Sequence, residues 1–63
     1  MEHLLKKAIE SGKRAAQNRQ ECIAMMDDDG MRLMKSAQEL SPAAVAAVVR
    51  HFHTGFKWAE VEL

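Results

Sequence analysis

Apolar and polar positions alternate with a helical period from Glu2 to Met26. At about 100° per residue, Leu4, Leu5, Ala8, Ile9, Gly12, Ala15, Ala16, Cys22, Ile23 and Met26 fall into one arc, and charged or amide side chains fill the opposite one. Helix-forming residues dominate and proline is absent, so the pattern predicts one long amphipathic helix over about 2–26. Gly12 sits inside it at a cost of about 1 kcal/mol against alanine. With Ala8, Ala15 and Ala16 it makes a small-residue patch that lets another helix approach closely. Arg19 falls near the centre of the apolar arc. It either snorkels outward on its alkyl stem or is paired at a subunit interface.

A turn is expected at 27–30, where Asp27, Asp28 and Asp29 precede Gly30. An EF-hand loop needs ligands at positions 1, 3 and 5, glycine at 6 and glutamate at 12. Setting Gly30 at the glycine position places Met25 at position 1 and Ser36 at position 12, so both anchors are missing. The polar-turn reading is better: Gly30 supplies backbone freedom, and Asp28 or Asp29 caps the next helix. That helix is expected over about 31–39, with Leu33, Met34, Ala37 and Leu40 inward. Ser41 and Pro42 then form a helix start, cap followed by first-turn proline, with Leu40 and Val45 placed as a hydrophobic staple. The third helix runs over about 42–53 on a stripe of Val45, Val48, Val49 and Phe52, and Gly55 is a plausible stop. Phe56, Ala59 and Leu63 prolong the stripe, so the tail 54–63 is either helical or extended.

The chain is all-α in pattern and, at 63 residues, a single domain. Chains this short bury only roughly 60% of their unfolded surface and usually lean on disulfides, metals or partners. Cys22 is the only cysteine, which excludes an internal disulfide. Beginning at Met with no visible signal peptide or tag, the chain is expected to be a complete small open reading frame of the cytoplasm. The apolar run Ala43 to Val49 is far short of the ~20 residues that span a bilayer, so no membrane role is expected.

Candidate chemistry is sparse. His51 and His53 are two apart on a helix and point about 160–200° apart, so they do not share an ion. With Cys22 and His3 they do not make the four convergent ligands of a structural zinc site, and no metal or cofactor is expected. No nucleophile–base–orienter set or phosphate-binding glycine loop is visible, so no catalytic residues are assigned. Residues 31–53 have the spacing of a helix-turn-helix, but the reading positions hold Ala43, Ala44, Ala46 and Ala47, which cannot read base edges.

The formal net charge is zero, which argues against gross electrostatic binding to nucleic acid. In the first helix pattern, Lys6, Lys7, Lys13, Arg14 and Arg19 exceed Glu2, Glu10 and Glu21 (+5 − 3 = +2). Lys6, Lys13 and Arg14 are therefore the phosphate contacts in an alternative reading as an RNA- or DNA-binding helical hairpin dimer. Met25, Met26, Met31 and Met34 crowd the hairpin tip, and with Trp58 they are the candidate partner contacts. Leu5, Ala8, Ile9, Gly12, Ala15, Ala16, Arg19 and Ile23 are the candidate dimer seam.

The run MEHLLKKAIESGKRAAQNRQECIAMM, followed by an acidic turn and two shorter helices, resembles the small early proteins encoded between the exonuclease and excisionase genes of lambdoid bacteriophages. That resemblance implies a helical, dimeric protein of the host cytoplasm. It would act early in infection, in the host-takeover region that affects the lysis–lysogeny choice. It carries over no functional residues. Plasmid RNA-binding helical hairpins look similar in size and in dimerising through a long hairpin, but lack the proline-started third helix. The expectation is a homodimeric helical bundle, non-enzymatic, acting by protein contact on an unidentified partner.

Overall fold

The computed structural model describes residues 2–19 and 28–62, and these form three helices: α1 (Glu2–Gln17), α2 (Asp28–Gln38) and α3 (Pro42–Glu62). At the end of α1 the Asn18 amide still makes a helical bond to the Arg14 carbonyl (2.9 Å), and the Arg19 amide then tightens the last turn by bonding the Ala16 carbonyl (3.0 Å). Arg19 adopts φ 58°, the left-handed conformation in which many helices end. α2 opens with Asp28 and Asp29 in its first turn, where carboxylates complement the helix dipole. α3 starts as its local chemistry requires: the Ser41 Oγ accepts the Ala44 amide at 3.1 Å, and Pro42 takes the first helical position.

α3 is the central element. Ala8 shares one core cluster with Ala44 and Val48, while Ala15 and Ala16 share another with Phe52, Phe56 and Ala59. α1 and α3 therefore run side by side in the same direction. α2 runs the other way, with Asp29 at its start beside Arg14 and Ala37 near its end beside Ala8. Among the described residues, six of the nine buried hydrophobics are alanines, and Phe52 and Val48 are the largest fully buried side chains. Leu4, Leu5, Leu33, Met34 and Val45 pack partly buried around it, so a centre of small residues is framed by larger ones.

α1 and α3 approach most closely at two glycines. A Cβ on Gly12 would overlap the Phe52 carbonyl, and one on Gly55 would overlap the Ile9 carbonyl. Ala8, Gly12 and Ala16 recur every fourth residue and line up along α1, so α3 lies against a groove free of bulky side chains.

Several expectations are corrected. α1 ends at Gln17, not near residue 26, so Arg19 lies beyond the helix, exposed, and not at the middle of an apolar face. Gly30 lies inside α2 and is buried, and Asp28, Asp29 and Gly30 of the expected turn are helical. Gly55 does not stop α3, because it is an interior contact with α1, and the tail is helical through Glu62. Leu40 is 59% exposed instead of facing inward, and Val49 stands 40% exposed at the edge of its stripe. Ala44, expected on an exposed face, is buried. Cys22, Ile23, Met25, Met26 and Asp27 lie outside the described residues.

Candidate protein-contact surface

The expected dimer seam is largely consumed within the chain. Ala8, Gly12, Ala15 and Ala16 are buried, with α3 in the place reserved for a second copy. Leu5 and Ile9 are half-buried, Arg19 is exposed on the chain reversal, and Ile23 is outside the described residues. The small-residue signal identified a helix contact correctly but not its partner, since periodicity carries no information about which helix will be docked.

What stays open is the groove between α2 and α3. Met31, Met34 and Val45 line a hollow of about 180 Å³, rimmed by Lys35 and Gln38. Met31 is 46% exposed, whereas Met34 turns inward and packs against both core clusters. Val49, one turn beyond Val45, extends the apolar strip along α3. Trp58, 53% exposed, belongs to a different side of α3, so the expected methionine–tryptophan contact set is divided between two surfaces.

The α1–α2 cleft is larger, about 400 Å³, and two of its arginines meet one carboxylate, Asp29. Arg14 Nη1 lies 2.6 Å from Asp29 Oδ2, and Arg32 Nη1 lies 3.8 Å from Asp29 Oδ1. This clip holds the start of α2 to α1. It also occupies Arg14, one of the three candidate phosphate contacts. Lys13 is engaged too, with its Nζ 5.7 Å from the centroid of the Trp58 ring, while Lys6 remains exposed.

His51 donates from Nδ1 to the Ala47 carbonyl at 2.8 Å, and His53 is exposed on another side of the helix. Among the described residues no group of three His, Cys, Asp or Glu side chains is placed to hold a metal ion. None of the described helices is long and apolar enough to cross a membrane. No protein-family model, curated protein or solved structure matches the chain. The fold defines it only as a small all-α protein, with three helices among the described residues.

Proposed function

We propose that this chain is a non-enzymatic accessory protein that works by protein contact, pairing with a second copy across the α2–α3 groove. The observation that carries the reading is the apolar strip of Met31, Val45 and Val49, left open beside a core made mostly of alanine. A thin core stabilises a short chain weakly, and burying the strip against its symmetry mate adds the missing apolar area. Methionine suits such a surface because its unbranched thioether adapts to an uneven neighbour. The resemblance to lambdoid early proteins supports a place in the host cytoplasm early in infection, with the pair meeting a further host or phage protein.

Light scattering on a sizing column, over a wide concentration range, tests the pairing. A dimer is expected for the natural chain. Val49→Lys and Met31→Glu should each raise the dissociation constant on the order of thirty-fold, the effect of losing a strong interface contact. Both sites are exposed, so helicity should be unchanged. A natural chain that is monomeric at high concentration would defeat the proposal.

A further inference from the structure

The outer face of α3 gathers cations that the linear sequence keeps apart. Arg50, His53, Thr54, Lys57 and Trp58 line a shallow hollow of about 360 Å³. Their spacing of three and four residues places them on successive turns of one side. Lys13 reaches the same surface from α1, with its ammonium over the Trp58 ring. Against these, Glu60 lies 3.7 Å from Lys57, but both side chains are about half exposed or more, where such a pair is weak and screened. Arg50 and Lys57 are exposed, and the indole is half open.

We infer that this face binds single-stranded nucleic acid, with phosphates on Arg50, Lys57 and Lys13 and a base stacked on Trp58. Charge complementarity selects a polyanion, and the open aromatic face selects one that carries planar groups. Duplex DNA hides its base faces, which leaves the single strand. A protein hot spot places its tryptophan in a dry apolar centre. Here Trp58 stands beside Lys13, Thr54 and Lys57, with Val61 as an apolar neighbour one turn on. That surround fits a wet, charged partner better. Lys13 is flexible enough to swing from the ring to a phosphate as a base arrives. The inference does not depend on pairing through the α2–α3 groove: the two surfaces adjoin at Val49 and His53, but the contacts it uses, Arg50, Lys57 and Trp58, lie further round α3 from Val45 and Val49.

Trp58 is the only tryptophan and tyrosine is absent, so intrinsic fluorescence reports this site directly. The full chain is titrated with a fifteen-residue oligothymidylate between 50 and 300 mM salt, alongside inorganic polyphosphate and polyglutamate. Quenching by the oligonucleotide is expected, with log K falling against log salt at a slope of about −2 for three phosphate contacts at about 0.7 each. By anisotropy of a labelled oligonucleotide, Arg50→Gln and Lys57→Gln should each flatten that slope by about 0.7. Trp58→Ala should weaken binding on the order of ten-fold, the effect of losing one stacked base. All three side chains are exposed, and circular dichroism verifies that the variants fold. Failure to bind at 50 mM salt would overturn the inference. So would a Trp58→Ala variant that binds normally, or polyphosphate binding as tightly as the oligonucleotide. Equal quenching by polyglutamate would instead assign the face to an acidic protein.

Discussion

A methyl group added at Gly12 or Gly55 meets backbone of the neighbouring helix, which cannot swing aside as a side chain does. Alanine gains about 1 kcal/mol of helix propensity at such a position. The forced separation of α1 and α3 outweighs it. Gly12→Ala and Gly55→Ala are each expected to lower stability by about 1–3 kcal/mol net, read as a drop in the urea midpoint. Arg19 presents the opposite case. Its left-handed backbone costs a side-chain-bearing residue about 1–2 kcal/mol, so Arg19→Gly should raise the midpoint by the equivalent of about 1 kcal/mol. The Arg14–Asp29 contact is short, yet Arg14 is 60% exposed. Arg14→Gln is expected to cost under about 1 kcal/mol, and less again in high salt.

Among the elements, α3 shows how far local chemistry reaches. Ser41→Ala removes the oxygen that accepts the Ala44 amide, and a loss of about 1 kcal/mol should follow in denaturant unfolding. That helix start was legible in the sequence because every group it needs lies within four residues. The helical character of all three segments was legible too, through the spacing of Ala8, Gly12 and Ala16 in α1, Leu33 and Ala37 in α2, and Val48 and Phe52 in α3. The end of α1 was not, since the apolar spacing of Cys22, Ile23 and Met26 continues the helical phase past Gln17, where the backbone turns. Gly55 misled for a related reason. A glycine required by close packing and one that ends a helix look identical until the partner helix is known.

For the molecule as a whole, the same limit governs the surfaces. The patch of Ala8, Gly12 and Ala16 was readable as a place for another helix, but nothing local distinguishes a helix of the same chain from one of a second copy. The grouping of Lys13 with Arg50, Lys57 and Trp58 was unreadable, because it exists only after α1 and α3 dock. That docking also bears on how the chain reaches its fold. Gly12 and Phe52 are 40 positions apart (52 − 12) in a chain of 63 residues, so the main interface is non-local. Helical bundles rich in local contacts fold in microseconds to milliseconds, and a long closure slows the search. Stopped-flow refolding followed by Trp58 fluorescence should place this protein at the millisecond end of that range. During synthesis α1 emerges before α3. Until α3 is complete, the smooth face of α1 is uncovered, and a chaperone or a neighbouring nascent chain has its best opportunity to claim it.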